Sequence, residues 1–257
     1  MPKKTLVALV GLAIIASSQS RAQTSLPDVV GIRPGISAQE AYKLLKARAP
    51  RAQIGVGQFA VAGVTDKPVP TSMAVSNPDV DPPEVITIWL TMPPSKQEVW
   101  AIGRTLEWPE GKQALKNNVL AGLRQKYGPE TDPQNHYWAF DEQGRPSTNA
   151  DLKQQNCAGR GDWSLQVAPP GAPAYPLFTP LLYTPGPQTL CNSLVEIKTQ
   201  LNSALGSEYV TRVTVTLSDL PLARRSQQAY QAFLANADAV KKKEEFEKAK
   251  QQRAPAF

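Results

Sequence analysis

The chain has 257 residues, and few of its side chains could carry reaction chemistry. His136 is the only histidine, in Gln134-Asn135-His136-Tyr137. One imidazole excludes the zinc sets that take two or more histidines. A Ser-His-Asp triad needs only one, but no Gly-x-Ser-x-Gly elbow is present to raise a serine out of a sheet. The plain reading of His136 is structural, at the start of a strand.

Asn77, Asp79, Asp81 and Glu84 place four oxygen-bearing side chains within eight residues. Calcium takes such oxygens, yet the twelve-residue calcium-loop pattern is missing. Pro78, Pro82 and Pro83 make a solvated turn the better explanation. Gly55-Val56-Gly57 and Gly63 have neither the dinucleotide fingerprint nor a following Lys-Ser/Thr, so they read as bulges or close approaches in a strand. Arg160-Gly161-Asp162 spells an adhesion tripeptide and is read as a turn into the Trp163 strand. No catalytic, cofactor-binding or metal-ligating residue is assigned, and no cofactor is expected.

The two cysteines, Cys157 and Cys191, are expected to form one disulfide. Closing that loop should contribute about 3–4 kcal/mol by restricting the unfolded chain. Between them, residues 168–187 interleave seven prolines with Tyr175, Leu177, Phe178, Leu181, Leu182 and Tyr183. Proline lowers the entropy lost on binding, so Tyr175, Phe178 and Tyr183 are candidate partner-binding residues on a preorganised loop. The other reading, favoured slightly, is that the loop folds back over the second sheet's apolar face, because so many aliphatic groups rarely all face water. On that reading Phe178 is at least partly buried.

The surrounding elements follow from periodicity. Ser37 and Glu40 have capping-box spacing ahead of Ala41, Leu44 and Leu45, and Pro50 ends that helix. Residues 54–64 alternate as a glycine-broken strand, and 66–83 read as an extended proline-rich loop. Val85 to Met92 is the clearest early strand, with Ile86, Ile88, Leu90 and Met92 on one side. A second capping box, Ser95 and Glu98, predicts a helix carrying Val99, Ile102 and Leu106. A third helix is expected over about 111–127, with Leu115, Val119, Leu123 and Tyr127 recurring every four residues. Leu115, Val119 and Leu123 are expected to be buried against a sheet that contains Val195, Ile197, Val213 and Val215, and Gly128-Pro129 stops the helix.

Strands are expected over 137–140, 163–167, 194–201 and 210–217, the last two alternating apolar with polar residues and joined by a hairpin at 202–208. Asp219 and Pro221 open a long C-terminal helix whose end, 241–253, is dense in mixed charge. The two capping boxes lie 58 residues apart, but different patterns follow them, so no repeat is read. The fold class is α+β: antiparallel sheet packed by helices, with a long C-terminal helix.

The first residues read as an export signal. Lys3 and Lys4 precede an apolar run, Thr5 to Ala16, that is too short to span a bilayer, and Ser20-Arg21-Ala22 supplies a small-x-small cleavage site. Cleavage is expected after Ala22, leaving a mature chain with no transmembrane segment. Losing Lys3, Lys4 and Arg21 lowers the net charge from +6 to +3, too little for a nucleic-acid partner. The organisation expected is a signal peptide over 1–22, a helix-plus-strand segment over 23–93, a main α+β domain over 94–240 with the bracketed loop 157–191, and a charged tail over 241–257.

The segment from Asp28 to Ala41, with Gly31 and Gly35 flanking a short turn before a serine-capped helix, resembles the opening of beta-lactamase inhibitory proteins and small envelope-assembly lipoproteins. Lys126-Tyr127-Gly128-Pro129 and Trp138-Ala139-Phe140 are also similar to exported bacterial proteins of this broad type. The chain lacks the lipid-attachment cysteine of the lipoproteins. The resemblance covers about a tenth of the chain and implies an exported helix-plus-antiparallel-sheet domain with a non-catalytic role. The expectation is therefore a periplasmic or secreted bacterial protein that binds an envelope protein or cell-wall component, or supports the envelope structurally. The alternative is a periplasmic hydrolase whose site has no sequence signature.

Overall fold

The computed structural model describes residues 26–60, 67–148, 194–203 and 208–251. The first helix, α1 (Ala38–Arg48), begins where expected, with Ser37 Oγ accepting from the Glu40 amide at 3.2 Å. Four strands follow: β1 (Ile54–Phe59), β2 (Val69–Asn77), β3 (Glu84–Leu90) and β4 (Val99–Glu107). The short β5 (Ala114–Leu115) leads into α2 (Lys116–Tyr127). Then come β6 (Tyr137–Phe140), β7 (Val195–Asn202), the short β8 (Tyr209–Val210), β9 (Arg212–Asp219) and the long α3 (Leu220–Gln251).

Seven strands form one sheet in the order β1-β2-β3-β4-β9-β7-β6, with every neighbour antiparallel, and β5 pairs with β8 separately. The architecture is α+β. The large sheet is two meanders, β1–β4 and β6–β7–β9, joined where their last strands pair. Each meander is preceded by a helix, so a helix-then-meander arrangement occurs twice along the chain.

Register assigns the two faces, because side chains alternate across a strand. One row runs Met73–Ile88–Ile102–Leu217–Ile197–Trp138 across six strands. Its members pack in one cluster with Ala41, Leu45 and Ala49 from α1 and its C-terminal end, with Tyr127 from α2, and with Val29 and Ile32. The helices therefore cover this face. The opposite face carries Ser72, Ala74, Thr87, Gly103, Thr105, Thr214, Thr216, Lys198 and Tyr137, so small and hydroxyl-bearing side chains dominate it.

Two expected elements are corrected. Residues 99–107 are strand, not a helix capped by Ser95. A register break opposite Trp89 and Leu90 lets Val99 and Ile102 both be buried, so a bulged strand mimics helical spacing. The β2 strand occupies half of the span read as a proline-rich loop. Pro70 falls at the irregularity where β1 shifts register between Gly57 and Gln58, and the remaining prolines lie outside the strand.

The third expected helix begins five residues later than expected, and its buried face is rotated. Leu120 and Tyr127 are buried, Val119 and Leu123 pack partly against the core, and Leu115 is exposed. The strands at 85–92, 137–140, 194–201 and 210–217 and the long C-terminal helix appear with ends shifted by at most two residues. At 1.5 Å per residue α3 is about 48 Å long, and it is exposed from Asp238 onward. Among the described residues no helix is long and apolar enough to cross a membrane.

Candidate functional site

A strongly charged centre inside the helix-covered face is built on Glu84. This residue starts β3 in the same register as Ile86 and Ile88, so its side chain points into the apolar layer beneath α1. The side chain is 0% exposed. Arg48, in the last turn of α1, donates from Nε to Oε1 at 2.5 Å and from Nη2 to Oε2 at 3.0 Å. Arg104, which shares its row with Ile86 and Val215, donates from Nε to Oε2 at 2.8 Å. Asn77, cross-strand from Glu84, donates from Nδ2 to the Arg48 carbonyl at 3.4 Å. The carboxylate thus ties the end of α1 to β3 and β4, and Asn77 adds β2 through the Arg48 carbonyl.

Burial alone would raise the Glu84 pKa. The hydrogen bonds and charges of Arg48 and Arg104 outweigh that cost and hold the carboxyl below the ordinary glutamate range. Both arginine side chains remain about one-third exposed, at 34% and 29%. The centre is therefore a buried anion at the base of two guanidinium groups that still reach solvent.

A polar strap lies nearby. Asp28 accepts from the Gly31 amide at 2.7 Å and from Lys126 at 2.9 Å, and the Tyr127 hydroxyl donates to the Asp28 carbonyl at 3.0 Å. Burial, and then the Asp28 charge, push the Tyr127 hydroxyl above the usual tyrosine range. These bonds fasten the N-terminal turn to the end of α2. Gly31 and Gly35 have φ of 83° and 84°, a left-handed conformation that glycine adopts without strain.

The candidate ligands at 77–84 do not converge. Asn77 and Glu84 join the arginine centre, whereas Asp81 makes an exposed 3.6 Å pair with Lys112 and Asp79 stays at the turn. Among the described residues no group of three or more acidic, histidine or cysteine side chains could hold a metal. His136 sits in the turn before β6 with φ of 48°. Its Nδ1 is 3.9 Å from Glu130 Oε1, and both atoms are buried without a hydrogen-bond partner. Burial, followed by the Lys116 charge, lowers the His136 pKa.

On the opposite face, the Tyr137 hydroxyl donates to Glu196 Oε2 at 3.2 Å, and Lys198 Nζ lies 3.0 Å from Glu196 Oε1. Cys157, Cys191, Tyr175, Phe178, Tyr183 and the Ala22 cleavage point all lie outside the described residues.

The arginine centre was not found from sequence, although part of its signal is there. Extending the apolar register Ile86, Ile88, Leu90 back by two residues reaches Glu84, a carboxylate on a core-facing position that requires a cation. Arg104 was hidden by the helical reading of 95–106. Comparison with family models, with curated proteins and with solved structures found no match.

Proposed function

We propose that the chain is exported and acts in the periplasm or outside the cell by binding, or as a structural part of the envelope, without catalysing a reaction. The observation that carries this reading is the state of Glu84. Its carboxylate accepts three N–H bonds from two guanidinium groups, and its pKa is lowered. General acid–base catalysis needs a group poised near the working pH. Glu84 holds charge in place instead of moving protons. The lysine-led apolar start with its Ala22 site, and the serine-capped opening at 28–41, support the export part of the reading.

The test is to express the full chain in a bacterial host, fractionate the cells, and cross-link the exported form in place. The expected result is a mature chain beginning at Gln23 and a reproducible cross-link to one envelope protein or cell-wall component. Retention of Met1 in the cytoplasmic fraction would overturn the export part. Saturable hydrolysis of an ester, peptide or glycoside substrate by the pure protein would overturn the binding part.

A further inference from the structure

We infer that Arg48 and Arg104 form a binding site for an oxyanion, a carboxylate or phosphate group presented to the protein from outside. This deepens the binding reading by naming the chemical class that the Glu84 centre would take. The argument begins with charge. Two guanidinium groups meet one carboxylate, so the centre keeps a surplus positive charge.

Hydrogen-bond capacity comes next. Each guanidinium has five N–H donors. Arg104 uses only Nε toward the described residues, which leaves both of its terminal nitrogens without a described acceptor. Asp28, Glu107 and Glu130 are each engaged by another cation. Asp28 is held by Lys126 and the Gly31 amide, Glu107 by Arg212 at 2.8 Å, and Glu130 by Arg124 at 2.8 Å.

Geometry completes the case. Glu84 grips Arg48 through Nε and one terminal nitrogen, and Arg104 through Nε. Those bonds hold Arg48 at two nitrogens and Arg104 at one, while about a third of each side chain stays open to solvent. A guanidinium held in this way gives up little rotational freedom when it binds, and its flat donor edge matches two oxygens of a carboxylate or phosphate. A surface arginine without such a support would lose more entropy for the same contact. The buried carboxylate thus holds α1 to the sheet and also aims the arginines.

The test follows the arginine Nε–H resonances of the full chain by NMR while inorganic phosphate, acetate or chloride is added at constant ionic strength. Saturable movement of the Arg48 and Arg104 signals with phosphate or acetate, and none with chloride, is expected. A stronger response to phosphate would point to a phosphorylated ligand, and a stronger response to acetate to a carboxylate-bearing one.

Arg104→Gln should abolish the saturation. Glu84→Gln keeps both arginines but removes the carboxylate that aims them, so it should weaken the saturable phosphate response. If Glu84→Gln fails to fold, the wild type and Arg104→Gln still decide the matter. Absence of saturable movement in the wild type would overturn the inference, and so would an undiminished response in Arg104→Gln. A failed search for an envelope partner leaves this result untouched, because the titration needs neither export nor a macromolecule.

Discussion

Two helices are fastened to the same sheet through buried carboxylates, and the two attachments work differently. At the end of α1, Glu84 is fully enclosed and answered by Arg48 and Arg104. At the start of α3, Asp219 is nearly buried and accepts from the Leu222 amide at 2.8 Å, the usual service of a helix N-cap. Burial raises the Asp219 pKa, and neither the Leu222 bond nor the Arg225 charge reverses it. The Glu84 pKa moves the other way. Enclosing a carboxylate therefore does not by itself set its charge. The number and kind of donors facing it do. A carboxylate paired with two cations can organise a charged site, whereas one bonded to a single amide serves only to start a helix.

The sharpest way to break this comparison is to delete each carboxylate. Glu84→Ala removes the anion from between two partly desolvated arginines and should cost about 3–5 kcal/mol, the range for breaking a buried ion pair. Asp219→Ala removes only a cap and should cost about 1 kcal/mol. Asp219→Asn, which keeps an oxygen toward the Leu222 amide, should cost less than Asp219→Ala. Urea unfolding of the three variants reads these differences. Equal losses at the two positions would erase the distinction.

A second contrast is pH dependence. Glu84 has a lowered folded pKa, so its contribution is present above the ordinary glutamate value and is lost as pH falls through the folded value. Asp219 has a raised folded pKa, so its contribution is greatest below the ordinary aspartate value and fades as pH rises through the folded one. Glu84→Gln should therefore flatten the loss of stability on acidification, and Asp219→Asn should steepen the net loss. Melts run from well below the ordinary glutamate value up to neutral pH check both signs. The smallest effect expected is that of Ser37→Ala at the other end of α1, under about 1 kcal/mol, because that cap is exposed and its bond is long at 3.2 Å.

Much of the sheet was legible from the sequence, and the reasons for the misses are specific. The strands β7 and β9 keep clean alternation because one face meets the aliphatic layer and the other carries hydroxyls or charges, and β3 is marked by its inward Ile86, Ile88 and Leu90. The β4 strand is buried on both faces and bulged, so its apolar residues lose period two. The β2 strand has only Met73 and Val75 as large apolar groups facing the aliphatic layer, amid serine, threonine and proline, and its partners define it more than its own residues do. The charged centre was hidden for a related reason. It joins residues 48, 84 and 104 across three elements, and one of these had been read as a helix. Such a set follows from register, and register is fixed only once every strand is placed.

The central claim is that Glu84 is a buried carboxylate held ionised by two arginines in the helix-covered face. A carbon-13 NMR titration of the Glu84 side-chain carboxyl in the folded full chain tests it most directly. The account expects a midpoint below the ordinary glutamate value of about 4.3, with the Arg48 and Arg104 Nε–H signals shifting in step as the carboxyl protonates. A midpoint at or above the ordinary value, with those arginine signals unmoved, would contradict it.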